Sequence, residues 1–365
     1  MLLRLETSGF RNLAAQVWAP GPGTHLLMGL NGAGKTSLLE AVYLLATTRS
    51  FRTAQLADCC QDGTDTFTLT GVIERQRRAE LSLRFTAGGA GGWRRLVDGH
   101  SVSLAAHLSE LPILAWSADD ASLLGGPPAP RRRLLDRGVV AQRPRALAVL
   151  TRYRRALTAK RALLARDADP RSRELAAWNQ VLAAEAAHLV PARARYAARL
   201  AAALLAIGSA SQLDLPALQI DYRPSLAAAL DGAQAAERAL VDVAPRECAA
   251  RRALIGPQRD DLAVVWQGRS LRCVASAGER RALGLLFLAA QVRVLTDAHR
   301  APVVLLDDAD SELDAARLRQ VWALFANVRQ LFATSNRPEI WAGVPVDQHW
   351  RVAMGAVSRE RLEPG

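Results

Sequence analysis

The chain has 365 residues, half of them apolar, which excludes an intrinsically disordered protein and allows two or three domains with a substantial core. Its formal net charge of +12 and pI of about 10.7 point to a polyanionic partner, nucleic acid or an anionic membrane surface. The most apolar stretch, 200–207, is far shorter than the ~20 residues of a membrane span, and residues 1–6 carry no apolar core of a leader, so a soluble cytoplasmic protein is expected.

In chain order, Leu3, Leu5 and Thr7 alternate with Arg4 and Glu6, the period of a β-strand, and Gly9 ends the run. Residues 25–28 predict a short apolar strand feeding a glycine-rich turn, and 37–47 show helical apolar spacing. Residues 66–74, 79–85 and 93–97 predict successive strands, with hairpin connections at 88–92 and at Asp98-Gly99. From Pro128 to about Pro245 the chain is rich in Ala, Leu and Arg; long helices are predicted over 147–166 and 178–207, the second bent at Pro191. Strand character returns at 262–266, a helix at 283–295, and buried-type strands at 301–306 and 331–334. Cys59, Cys60, Cys248 and Cys273 form no Cys-x-x-Cys pair and have no histidine at metal spacing, so inert reduced thiols are expected.

Three segments carry chemistry. Gly29-Leu30-Asn31-Gly32-Ala33-Gly34-Lys35-Thr36 fits G-x-x-x-x-G-K-[ST], with a strand before it and a helix after it. Glycines let backbone N–H groups converge on phosphate oxygens, and the helix adds its positive end. Lys35 would neutralise the outer phosphates of ATP, and Thr36 would ligate Mg²⁺. Only two of the 47 basic residues are lysine, Lys35 and Lys160, which makes a chance lysine at this position implausible. Second, 303–306 is an apolar strand ending in Asp307-Asp308. Asp307 would hold Mg²⁺ opposite Thr36, and Asp308 would act as general base on the attacking water. Third, Ser276-Ala277-Gly278-Glu279 precedes an apolar helix 31 residues before Asp307; Ser276 can cap that helix and present N–H groups to an anion. Ser311-Glu312-Leu313-Asp314 follows as a capped helix start.

The third segment resembles the signature of ABC ATPases, and Ser311–Asp314 resembles their D-loop. Thr36 and Ser276 lie 240 residues apart, an insertion of modest length similar to that of the RecF family. Other blocks follow the same family in order. They are the opening LRLETSGFRNL with Arg11 and Asn12, the segment 49–53, the run 116–136, and Ile255-Gly256-Pro257-Gln258-Arg259-Asp260-Asp261-Leu262. Departures are Gln258, where the family usually has His, the loosened signature, no switch histidine after Thr334, and Asp308 in place of the usual Glu. A shorter base argues for slow hydrolysis.

The resemblance implies an α/β fold: an ABC-type P-loop ATPase domain with an antiparallel β subdomain, interrupted by a mainly helical insertion (lobe II). The expected bounds are 1–110 with 252–365 for the ATPase domain and 111–251 for the insertion. Catalytic residues would be Lys35, Asp307 and Asp308. Nucleotide would be held by Gly29 to Thr36 with Arg11 and Asn12, and across an ATP-dependent homodimer by Ser276, Gly278, Glu279 and Asp314. Mg²⁺ would sit on Thr36 and Asp307. Between Arg131 and Arg171 lie 13 basic and three acidic residues, a density suited to phosphate contact, with Arg152, Arg155 and Arg166 as candidates for DNA. The family's implied partners are double-stranded DNA at gaps or junctions, RecR and RecO, and no membrane. The implied activity is a weak, DNA-stimulated ATPase acting as a DNA clamp in gap repair. A non-hydrolysing ATP-bound adaptor is the second reading, and a transporter subunit, lacking the switch histidine and the spacing, the third.

Overall fold

The computed structural model describes residues 1–88, 92–116, 126–166, 168–211, 213, 218–266, 269–270 and 276–360. It forms two compact units, the first from 1–121, 207–215 and 276–365, the second from 122–206 and 216–275. The insertion thus holds the chain to residue 275 and not to 251 as the sequence suggested. The reason is strand pairing: β9 (Leu218–Arg223) and β10 (Asp261–Trp266) are antiparallel neighbours over their full length, which keeps β10 in the second unit.

The first unit holds two six-stranded sheets. One is antiparallel, in the order β2 (Gln16–Trp18), β1 (Leu2–Ser8), β4 (Thr66–Glu74), β5 (Arg78–Thr86), β6 (Trp93–Val97), β7 (His100–Ser101). Strands β4 and β5 alternate strictly: Phe67, Leu69, Leu81 and Leu83 face inward, while Thr68, Thr70 and Arg84 face out. In β1 the buried side chains are Leu2, Leu5 and Thr7, because the register with β4 shifts between Leu2 and Arg4 and turns Leu3 off the inner face.

The other sheet runs β15 (Ala356–Glu360), β14 (Gln348–Ala353), β3 (Gly23–Met28), β13 (Gln330–Ser335), β12 (Val303–Leu306), β8 (Ile113–Trp116). All its pairs are parallel except the β14–β15 hairpin. Every residue of β12 and β13 is buried, as parallel strands covered on both faces require. The two faces feed different cores. Leu27, Val303, Leu305 and Phe332 join α1 (Lys35–Thr47) and the antiparallel sheet. Leu26, Val304, Leu306 and Leu331 join α7 (Ala277–Asp297) and α8 (Ala315–Ala323). Helix α2 (Leu104–Glu110) leads into β8 and is capped by Ser103, whose hydroxyl accepts from the Ala106 N–H.

The second unit carries α3 (Pro128–Gln142), α4 (Ala146–Leu164), α5 (Arg173–Ala210, its last turn in the first unit), α6 (Ala233–Ala249), and β9–β10 with β11 (Arg269–Ser270). Helix α5 continues through Pro191 as one 38-residue element. The Gly-Pro-Gln-Arg-Asp-Asp block lies here, and its carboxylates bind this unit together. Buried Arg193 donates to Asp260 at 2.8 Å, to Asp136 at 2.7 and 3.0 Å, and to the Pro257 carbonyl at 2.7 Å. Asp260 also accepts from the Tyr222 hydroxyl, and Asp261 takes a bidentate pair from Arg131 at 2.8 and 2.9 Å. Gln258 accepts from the Tyr153 hydroxyl.

Removing one partner of a buried ion pair leaves a charge with neither water nor counter-ion, at a cost of about 3–5 kcal/mol. Asp260→Ala is therefore expected to lower the denaturant stability of the second unit by about that amount. Equilibrium urea unfolding followed by tryptophan fluorescence measures it, and a change within experimental error contradicts the network's structural role.

Candidate functional site

The β3–α1 connection, Gly29 to Gly34, forms a loop at the carboxyl ends of the parallel strands, and Lys35 and Thr36 open α1. Gly34 stands at the N-cap of α1 with φ 111°, a conformation that favours glycine, and no side chain caps the helix. The first-turn N–H groups are left for an anion, and no acidic residue occupies that turn. Gly29 lies so close to the Val352 carbonyl of β14 that a Cβ there would meet it at 2.2 Å. Lys35 is buried, and its ammonium donates to the carbonyls of Gly29 and Leu30 at 2.8 and 3.0 Å. Burial lowers its pKa, against the pull of Asp308, Asp307 and Asp310.

Sheet order brings the two ends of the sequence together. Strand β13 lies between β3 and β12, so Thr334 at its carboxyl end sits between the loop and the Asp307-Asp308 pair. The Thr36 and Thr334 hydroxyls both donate to Asp307 Oδ1 at 2.9 Å. Desolvation raises the Asp307 pKa, while the hydrogen bonds from Thr334 and Thr36 lower it. Asp308 has φ 48° and is held from both sides: its N–H donates to Thr334 Oγ1 at 2.8 Å and its carbonyl accepts from Arg281. Its carboxylate is exposed and lines a cleft of about 630 Å³ together with Asn31, Gly32, Lys35 and Thr36.

The oxygens of Thr36 and Asp307 fit a small hard cation. Thr36 and Asp307, now joined by a direct hydrogen bond of 2.9 Å, would hold Mg²⁺ through one hydroxyl and one carboxylate oxygen. Such an ion usually takes one carboxylate, a hydroxyl, waters and phosphate oxygens. No cluster of three or more His, Cys, Asp or Glu occurs among the described residues.

Arg11 and Asn12 line the same cleft. Arg11, with φ 50°, donates from Nε and Nη2 to buried Glu40 of α1 at 3.0 and 2.8 Å, and to the Asp58 carbonyl. Asn12 donates to the Gly32 carbonyl at 2.7 Å and accepts from Ser37 at 2.8 Å, fastening the loop to the turn after β1. The other predicted residues are not gathered here. Ser276 and Glu279 form a capping box at the N-terminus of α7: the Glu279 N–H donates to Ser276 Oγ at 3.3 Å and the Ser276 N–H to Glu279 at 2.7 Å. Gly278 lies against the Glu312 carbonyl, and Asp314 caps α8 by accepting from the Arg317 N–H at 2.7 Å. None of the four lines the cleft. Arg152, Arg155 and Arg166 belong to the second unit.

Five contributors are given no role by the motifs. Thr334 and Arg281 fix the carboxylate pair, and Asn336 donates to Asn31 of the loop at 3.0 Å. Glu40 gathers Arg11, Arg52, Ser50 and Cys59, and Arg52 lines the cleft. For Glu40 a different signal exists: a lone carboxylate within an otherwise apolar helical stretch calls for a buried cationic partner. Ala275, Cys273 and the resemblance block at 117–125 lie outside the described residues.

A phosphate loop and a strand-end carboxylate pair at the tips of one parallel sheet, with an antiparallel sheet beside it and a serine-capped helix behind, define an ABC-type P-loop ATPase fold. The family model of the RecF/RecN/SMC N-terminal domain matches residues 1–358. The DNA replication and repair protein RecF of Acidothermus cellulolyticus is 34% identical over 357 residues, covering 94% of this chain and 96% of that protein. RecF of Anaeromyxobacter sp. (strain Fw109-5) is 33% identical, with 98% of each covered. The chain belongs to the RecF family. In fold it is similar to a structure of the recombination mediator protein RecF with ATPrS, with TM-score 0.86, 23% identity and 98% of each chain covered. It is also similar to the Smc head domain of Pyrococcus furiosus, with TM-score 0.58, 15% identity, and 99% of this chain and 96% of that one covered.

Lys35→Ala removes the one buried ammonium of the loop. A hydrogen bond to a charged group contributes about 1.5–3 kcal/mol, so ATP affinity is expected to fall roughly ten- to hundredfold. Equilibrium titration with a fluorescent ATP analogue measures this, and unchanged affinity removes the loop from nucleotide binding.

Proposed function

We propose that this chain is an ATP-gated DNA clamp of recombinational gap repair. One observation carries the reading: the loop cleft and the serine-led end of α7 belong to the same unit, yet Ser276, Gly278, Glu279 and Asp314 do not line that cleft. A second copy can supply them, so that two chains enclose two nucleotides. Lys35 then neutralises the outer phosphates, Thr36 and Asp307 hold Mg²⁺, and Asp308 takes a proton from the attacking water. Closure brings two second units over DNA, and hydrolysis releases them.

Within the second unit, Arg155 and Arg166 are exposed and have no carboxylate partner among the described residues, whereas Arg152 is engaged by Glu185 at 2.5 Å. Contacts of this type read the phosphate backbone and not sequence. The relatives' names, DNA replication and repair protein RecF, and the RecFOR pathway named for a structural neighbour support a role beside RecR and RecO at duplex–gap junctions. No described helix is long and apolar enough to cross a membrane, which is compatible with work on DNA in the cytoplasm. The short side chain of Asp308, further from a bound water than a glutamate, favours slow turnover, stimulated by DNA. It also keeps the adaptor reading in play, in which ATP is a structural ligand.

Light scattering with and without ATP and Mg²⁺ tests the gating. The wild-type chain is expected to become dimeric with nucleotide and Lys35→Arg to remain monomeric; equal self-association of both sinks the clamp. Loss of a general base costs roughly 10²–10⁴ in rate, so Asp308→Asn is expected to abolish measurable turnover while prolonging the dimer. Wild-type turnover already at background, with Asp308→Asn active in recruiting partners, selects the adaptor.

A further inference from the structure

The outer face of the antiparallel sheet carries a row of polar side chains that the nucleotide chemistry does not use. In register, Ser8 of β1 stands opposite Thr68 of β4, Thr68 opposite Arg84 of β5, and Arg84 opposite Arg94 of β6. The row crosses four strands, about 14 Å at the usual interstrand spacing, and presents two hydroxyls and then two guanidinium groups. Arg84 and Arg94 are both exposed and directly opposite. Like charges in that position destabilise a sheet.

The other arginines on the sheet's strands are occupied. Arg4 meets Glu6 at 2.5 Å, Arg78 meets Glu74 at 3.8 Å, and Arg95 lies over the Trp93 ring at 4.8 Å and donates to the Val102 carbonyl. Among the described residues of this sheet, Arg84 and Arg94 are the arginines without such a partner. A charge on an exposed edge can serve to block strand addition, and Arg94 lies beyond the two-residue pairing of β6 with β7. That account does not reach Arg84, which is on an interior strand. At its hydroxyl end the row opens into a groove of about 320 Å³ lined by Ser8, Thr68, Gln16 and Val17, and by Glu6, whose carboxylate is paired with Arg4.

We infer that this row is a second contact surface for duplex nucleic acid, in which Arg84 and Arg94 straddle neighbouring phosphates and Ser8 and Thr68 donate to the same backbone. A polyanion supplies the counter-charge that the fold omits, and removes the cross-strand repulsion when it binds. Arginine guanidinium and Ser/Thr hydroxyl groups are among the donors that bind phosphate oxygens of a nucleic-acid backbone. The surface rests on the DNA-binding reading above and adds to the second unit's arginines a site on the ATPase unit itself.

The experiment uses the full chain with ATP and Mg²⁺, and measures fluorescence anisotropy on a duplex of arbitrary sequence over a series of salt concentrations. Three proteins are compared: wild type, Arg84→Gln/Arg94→Gln, and Arg4→Gln/Arg78→Gln, which loses the same charge from partnered positions of the same sheet. Deleting one phosphate-neutralising side chain reduces the log–log salt slope by about 0.9. The first double variant is therefore expected to lose about 2 from the slope and roughly tenfold or more in affinity, while the second stays near wild type. The unfolding midpoint of Arg84→Gln/Arg94→Gln should be unchanged or higher, since a repulsive pair has gone. Wild-type binding with the two double variants indistinguishable overturns the surface and leaves the clamp standing. Wild type that fails to bind duplex sinks both. Unchanged duplex binding with weakened binding of polyglutamate reassigns the row to an acidic protein segment, and equally overturns the inference.

Discussion

The hydrogen bond from Thr36 to Asp307 is the constraint on which the first unit turns. It joins residues 271 apart in sequence across 2.9 Å. It can form because β13 lies between β3 and β12 and places Thr334 at the junction. A parallel sheet sends all its carboxyl ends to one side, so the glycine loop after β3 and the carboxylates after β12 open on the same edge. The left-handed backbone at Asp308 is strained for a non-glycine residue. It is held there by Thr334 on one side and Arg281 on the other. Held from two sides, the backbone fixes the direction in which the Asp308 carboxylate leaves the strand end.

The same geometry explains why the chain can be interrupted for so long. Apart from 207–215, which pack with the first unit, the chain between β8 and α7 can be elaborated without disturbing the sheet edge, provided that α7 returns against β12. Arg281 and Gly284 secure that return. The first donates to the Asp307 and Asp308 carbonyls. At Gly284 a Cβ would meet the Trp116 ring at 2.1 Å, so only glycine lets the indole lie against the helix. The second unit has its own adhesive in the Arg193–Asp136–Asp260 network, built from a motif that the sequence alone assigns to the ATPase domain.

Legibility follows locality. The loop, the strand-end carboxylates and the serine cap are read within a few residues because each is a local solution to holding an anion or ending an element. The long apolar runs of β12, β13 and α1 are equally plain. Strands β14 and β8 are not: one is polar in sequence, QHWRVA, and the other is four residues long. The boundary at 252 fails because β10 has an ordinary alternating pattern, and nothing local says that its partner is β9 rather than a strand of the ATPase sheets. Thr334 and Arg281 work through partners 26 or 27 residues away, and Glu40 through partners 10 to 29 residues away, which no spacing rule exposes.

The central claim is that each nucleotide site is made from two chains, the loop of one and the serine-led helix of the other. Mixing two inactive variants tests it most directly. Lys35→Ala spoils the loop and leaves the helix intact; Ser276→Arg does the reverse. A mixed dimer of the two contains one site with both halves sound, so the mixture is predicted to hydrolyse ATP well above either variant alone. A mixture no more active than its components, with mixed dimers demonstrably present, would contradict the composite site.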